Sequence, residues 1–282
     1  TSFIGVYKIK KNFRNIKIVL ESHGDFINTL ELEKNLIFPA VYRKLFLKMA
    51  SYTINKADIL RAVSSSTEEQ ALSFDPSKRV VRFPAWVDFE IFSKVQASRS
   101  DEKDFKILFI GSVTDRKKPH LIVEAINKIK NKDIKLYVVG PTPNENYLSQ
   151  LKELVHNYDL EDQVLFTGSV DRKSVMDHYA DTNLMILPSV SEGLARVIFE
   201  SQATACPVLV TDAPGMGDIV IDGQTGYIFE SDNLESLTNK IQEIINNYND
   251  AVHVGNNAKD FILSNYSADN FKFSFKKLFD TV

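Results

Sequence analysis

Short apolar runs alternate with helical stripes along most of the chain. KILFI, KLYVV, VLFTG, NLMIL and PVLVT, beginning at Lys106, Lys135, Val164, Asn183 and Pro207, are each followed after a loop by a helical pattern. Leu121, Ile122, Ala125, Ile126 and Ile129 form one such stripe, and Leu148, Leu151, Leu154 and Val155 another. Strands alternating with helices predict a parallel, doubly wound sheet, an α/β fold. Right-handed crossovers would set helices on both faces and gather the loops at the strands' carboxyl ends on one rim. That rim collects Gly111, Gly140, Gly168 and Glu192.

Upstream, IKIVL, DILRAV and RVVRFP read as strands separated by helical stretches near Phe38 to Ile54 and Ser65 to Leu72. This second α/β region of about 85 residues is shorter than an ordinary domain of roughly 100 to 200, which implies missing N-terminal strands. The first residue is not methionine, in keeping with a processed or excised piece. A linker is expected within Pro84 to Asp104, at the polar run KVQASRSDEKD. After about Leu234 the chain reads as helical, ending in SADNFKFSFKKLF. The predicted division is therefore 1–87, 88–265, and a helix at 266–282 packing back on the first region.

With 44% hydrophobic and 25% charged residues, disorder is not indicated. A net charge of −3 gives no general attraction to nucleic acid, and no base-reading motif stands out. The single cysteine, Cys206, excludes an internal disulfide framework and fits a reducing compartment. No apolar run approaches a membrane span of roughly 18 to 20 residues, and the start lacks a signal peptide's apolar centre. The expected location is cytoplasmic. His120, His156, His178 and His253 have no partner at ligand spacing, so neither a metal nor another cofactor is expected.

The segment SVSEGLARVIFES, Ser189 to Ser201, holds Glu192 and Glu200 around the start of a helix that follows the NLMILP strand. Gly193 permits close backbone approach, and the first helical turn offers N–H groups to a phosphate. Taken as eight helical steps, the two carboxylates would stand roughly 12 Å apart. Glycoside hydrolase pairs stand roughly 5 to 9.5 Å apart, so an acid and nucleophile pair is excluded on that spacing. The span suits a nucleotide sugar, with sugar hydroxyls at one end, ribose at the other and pyrophosphate between. Two solvated glutamates on a surface helix remain the alternative. After Gly111 comes the basic cluster Arg116, Lys117 and Lys118, able to neutralise a diphosphate. The spacing is that of neither a P-loop nor a G-x-G-x-x-G dinucleotide site.

The ordered residues Gly111, Lys117, Phe166-Thr167-Gly168, Pro188 to Gly193, Glu200, Pro207-Val208 and Gly217 to Val220 resemble the retaining glycosyltransferases of family four. The resemblance runs from His23 onward and implies a GT-B fold: two Rossmann-like domains, the first incomplete, acceptor-side, the second donor-binding. It also implies transfer of a sugar from a nucleotide diphosphate donor, UDP- or GDP-linked, to an acceptor with retention of configuration. By the resemblance Lys117 grips the diphosphate, Glu192 meets sugar hydroxyls and Glu200 holds ribose. Gly193, Leu194, Ala195, Arg196 and Val197 surround phosphate, Gly168 to Val170 border the base, and His23 helps position or polarise the reacting sugar. His23, Lys117 and Glu192 are thus the expected catalytic set.

Ser112 stands where the family carries arginine, so Arg116 is expected to supply the second positive charge. Ala195 replaces a glycine, and Asp218 replaces a glutamate. A donor-binding module or subunit of a larger transferase complex is the alternative function, with a sugar-nucleotide epimerase a third. Residues 1–60 carry ten Lys or Arg against five Asp or Glu. Within them LIFPAVYRKLFLKMA interleaves apolar residues with Arg43, Lys44 and Lys48. That stretch either rests on an anionic membrane surface, at the inner membrane face, or packs its apolar side in the core. The acceptor would be a glycan, a lipid-linked molecule or another compound.

Overall fold

The computed structural model describes residues 5, 9, 11–13, 15–24, 39–99 and 104–280. Phe38 and residues 100–103 of the expected linker lie outside this set. The described residues form two compact units, one of residues 1–86, 192–194 and 268–282, the other of 87–191 and 195–267.

In the first unit, β1 (Val19–Ser22), β2 (Ile59–Ala62) and β3 (Val80–Arg82) form a parallel sheet in that order. Helix α1 (Pro39–Lys56) precedes β2 and α2 (Ser65–Phe74) follows it. Alternation along β2 divides its side chains between the faces. Leu60 packs with Ile54 and Ala71, whereas Ile59 packs with Phe83 and with Leu278 of the final helix. Ser64 and Thr67 form a reciprocal capping box at the start of α2.

The second unit opens with the short helix α3 (Glu90–Ser93) and then alternates: β4 (Phe105–Ile110), α4 (Pro119–Ile129), β5 (Ile134–Val139), α5 (Glu145–Asn157), β6 (Val164–Gly168), α6 (Arg172–Asp181), β7 (Leu184–Leu187), α7 (Arg196–Ala203), β8 (Val208–Thr211) and β9 (Tyr227–Phe229). Helices α8 (Leu234–Asn246) and α9 (Tyr248–Asn265) close it, and α10 (Ala268–Asp280) belongs to the first unit. All six strands are parallel, in the order β6-β5-β4-β7-β8-β9. Residues of β7 and β8 are buried throughout, as a sheet covered on both faces requires.

One strand departs from the sequence expectation. PVLVT was expected to be followed by a helical pattern, and the next element after β8 is instead β9, pairing Leu209 with Tyr227 and Val210 with Ile228. A Cβ at Gly226 would lie 2.5 Å from Val208 Cγ2, so that glycine serves close packing. Among the described residues no helix is long and apolar enough to cross a membrane.

Candidate functional site

Strand order reverses between β4 and β7, and ligands bind in α/β sheets outside the carboxyl ends of strands at such a point. The β4–β7 ladder comprises only Ile107 with Leu184 and Leu108 with Met185, against six register pairs between β4 and β5. The loops after β4 and β7 therefore flank the crevice.

Side-chain caps are present on some helices of this unit and absent from α3, α4, α7 and α9. Asn144, Asp171 and Asn233 each cap their helix by accepting from a first-turn backbone N–H. Helices α4 and α7, which follow β4 and β7, begin at Lys118 and Ala195 without a side-chain cap. Pro119 already lacks one donor at the start of α4; in α7 the Ile198 N–H bonds the Ala195 carbonyl at 2.9 Å, and the N-terminus carries the helix's partial positive charge.

The two loops are joined by Arg116. Its Nη1 donates to the Ser191 carbonyl and lies 3.5 Å from Ser189 Oγ, while its own carbonyl accepts from Val190 N at 3.2 Å. Arg116, expected as a second phosphate cation, thus braces the segment leading to Glu192. Lys117 ends a 3₁₀ turn (Asp115–Lys117), and its side chain folds over Gly111, where an added Cβ would lie 3.3 Å from Nζ. Ser112 follows on the same loop. Gly140, φ +138°, ends β5 so near that its Cβ would lie 2.1 Å from the Gly111 carbonyl oxygen; a side chain cannot fit.

Gly168 ends β6 at φ +67°, and Val170 follows, half-buried. Ala195 is buried, Arg196 exposed and Val197 half-buried at the start of α7. The helix begins only at Arg196, so Glu192 to Ala195 are not helical. This corrects the eight-step spacing of the glutamates: non-helical residues advance by up to roughly 3.3 to 3.6 Å each, and helical pitch does not fix the separation. Glu192 and Leu194 are half-buried in the loop. Within the first unit a Cβ at Gly193 would lie 2.2 Å from the His23 carbonyl oxygen. The His23 imidazole follows β1, with Nε2 at 2.8 Å from Glu21 Oε2.

Glu200 is no solvated surface residue. Tyr179, fully buried, donates from its hydroxyl to Glu200 Oε2 at 3.3 Å and to the Val197 carbonyl at 3.2 Å. Burial raises the Glu200 carboxyl above its usual range, and the Tyr179 hydrogen bond and the charges of Arg196 and Arg172 oppose it without cancelling it. Tyr179, Glu21 and Arg61 were not singled out in the sequence, although an arginine inside the apolar run DILRAV was a visible signal. Among the described residues no cluster of three or more His, Cys, Asp or Glu could hold a metal ion.

In its first two turns α1 exposes apolar side chains. Val41, Tyr42 and Leu45 are 67%, 41% and 57% exposed, so these residues are not core.

The model of the family described as glycosyl transferases group 1 matches residues 90–261. This chain belongs to that family. Among group 1 relatives, it is 25% identical over 199 residues to the capsular polysaccharide biosynthesis glycosyltransferase CapM of Staphylococcus aureus, covering 64% of this chain and 49% of that one. It is 24% identical to the N-acetyl-alpha-D-glucosaminyl L-malate synthase of Bacillus anthracis, covering 90% of this chain and 65% of that protein. The chain thus spans about half to two thirds of these relatives' lengths. Its fold matches Anabaena Alr3699/HepE, solved in complex with UDP, at a TM-score of 0.83 and 16% identity, over 100% of this chain and 76% of that one. Sucrose-phosphate synthase from Thermosynechococcus elongatus matches at 0.83 and 20% identity, over 99% and 71%. The GT-B class of parallel-sheet, Rossmann-like domains follows.

A carboxyl whose pKa rises on folding binds its proton more tightly in the folded chain. Its contribution to stability is fullest below the ordinary value of 4.5 and is lost as pH rises through the raised value. Thermal unfolding of Glu200→Gln should therefore give a midpoint above wild type at about pH 8, with the gain shrinking toward about pH 4. A difference that does not grow with pH would show that Glu200 ionises in the fold without cost.

Proposed function

We propose that the chain binds a nucleoside-diphosphate sugar, UDP- or GDP-linked, at the β4/β7 crevice and transfers the sugar to an acceptor with retention of configuration. The observation that carries this reading is the pairing of a lysine over Gly111 with an uncapped α7 N-terminus at the switch point. Both favour an anion, and a diphosphate fits two such sources of positive charge. Lys117 and the first-turn N–H groups of α7 take the diphosphate, with Gly193 to Val197 surrounding it. Glu200 accepts from the ribose hydroxyls, Glu192 from the sugar hydroxyls, and Gly168 to Val170 border the base. His23 serves the reacting sugar.

In the transfer, the bond from the anomeric carbon to the diphosphate oxygen breaks, leaving its electron pair on the diphosphate. The acceptor hydroxyl forms the new bond on the same face and gives its proton to the departing diphosphate oxygen. Lys117 and the helix N-terminus stabilise the negative charge that grows on the leaving group. Arg116 holds the Glu192 loop in place. No metal or cofactor forms part of this scheme.

The commitment of Arg116 to Ser191, together with Ser112, favours one second reading: donor binding without turnover, as a module or subunit of a larger transferase. Release of nucleoside diphosphate from a panel of nucleotide sugars, with acceptor glycosylation followed by mass, separates the two. Under the transferase reading Lys117→Ala should lower kcat/KM by about 10²- to 10³-fold. Donor binding with no product from the unsubstituted chain favours the module, and absence of donor binding overturns both.

Exposed Val41, Tyr42 and Leu45 beside exposed Arg43, Lys44 and Lys48 suit an anionic lipid surface, which would bring lipid-linked acceptors to the protein. The chain should sediment with phosphatidylglycerol vesicles, and reversing the three charges should release it. Sedimentation unchanged by the reversal removes the lipid contact.

A further inference from the structure

Strands β1 and β2 pair Glu21 directly with Arg61, bringing two charges together on adjacent parallel strands. Arg61 Nη1 lies 3.0 Å from Glu21 Oε2, and the same oxygen lies 2.8 Å from His23 Nε2. Arg61 is only 2% exposed. Its Nη2 donates to the Pro84 carbonyl at 2.7 Å, and its guanidinium carbon lies 4.2 Å from the Phe83 ring centroid and 5.0 and 5.6 Å from those of Phe275 and Phe271. Its Nε is buried with no hydrogen-bond partner.

An apolar side chain would fill this position at lower desolvation cost, because the surroundings are the cluster of Ile59, Phe83 and Leu278 with Phe271 and Phe275. Arg61 carries a buried charge and leaves an unmatched donor, so packing alone does not account for it. What it supplies is a carboxylate fixed in one place beside an exposed imidazole. Packed against the mutually touching rings of Phe83, Phe271 and Phe275 and held by the Pro84 carbonyl, the guanidinium has little freedom, and neither does the oxygen it anchors.

We infer that Glu21 is a positioning residue that fixes the orientation and tautomer of the His23 imidazole, and that Arg61, clamped by α10, holds Glu21 for this task. An ionised carboxylate only accepts hydrogen bonds, so Nε2 must carry the proton and Nδ1 is left as an acceptor for a sugar hydroxyl. Burial favours protonation of Glu21, but the bonds from His23 and Arg61 outweigh it and hold the carboxyl below its usual range. The role of this arrangement in transfer rests on the proposed placement of His23 at the reacting sugar. The tautomer can be read without any substrate, so failure of that placement and failure of the positioning role are distinguishable.

Nitrogen-15 imidazole spectra of the whole chain, with the His23 signal assigned through His23→Gln, test the inference. Wild type should show His23 as the Nε2–H tautomer in its neutral form. Glu21→Gln, which can donate as well as accept, should shift it to a mixture. Arg61→Met should do the same while its thermal midpoint stays level or rises. In turnover assays both variants should lower kcat by about tenfold, with the donor KM within about twofold of wild type. If Arg61→Met fails to fold, Glu21→Gln alone decides. An unchanged tautomer in Glu21→Gln, or a donor KM that rises with kcat unaltered, overturns the positioning role.

Discussion

The reversal of strand order between β4 and β7 is the constraint on which the rest of the candidate site depends. On one side, six register pairs bind β4 to β5; on the other, two bind β4 to β7. Arg116 ties the loops flanking this place through the Ser191 carbonyl and through its own carbonyl to Val190 N. A Cβ at Gly111 would press on Lys117 Nζ at 3.3 Å, and Gly140 could not approach the Gly111 carbonyl if it carried a side chain. A parallel sheet thus delivers a lysine and a helix N-terminus to the same crevice, each from a different crossover.

Most of the donor-side architecture was legible because parallel strands covered on both faces must be near-continuous apolar runs. Leu184 to Leu187 and Val208 to Thr211 are buried at every position, and both runs stand out in the sequence. β9 did not stand out, because three residues closing a glycine-rich stretch carry little periodicity. The ordered motifs Gly111, Lys117, Phe166-Thr167-Gly168, Pro188 to Gly193, Glu200, Pro207-Val208 and Gly217 to Val220 were enough to point to a glycosyltransferase, while the geometry around those residues was not readable. The start of α7 illustrates this, since a spacing in sequence becomes a distance only once the helical residues are known. Tyr179 under Glu200 and Arg61 beside Glu21 are long-range partners. No local pattern identifies them, although a charge inside an apolar strand marks where to look.

Two carboxylates differ in how the fold treats their charge. Glu200 lies where burial resists its ionisation, with a tyrosine hydroxyl as partial compensation. A ligand donating two hydroxyls would relieve that penalty. Glu21 is treated in the opposite way, its negative charge secured by an arginine packed against a cluster of aromatic rings. Both are held by residues remote in sequence, and both depend on ordinary packing to fix their position.

The central claim is that the crevice holds a nucleoside diphosphate with its ribose hydroxyls on Glu200. Calorimetric titration with UDP, GDP and the 2′,3′-dideoxy form of whichever binds tests this directly. The dideoxy compound should bind about tenfold or more weakly, because it leaves a buried carboxylate unmatched. Equal affinity for the two forms would contradict the placement of Glu200 at the ribose, and with it the donor orientation built on that contact.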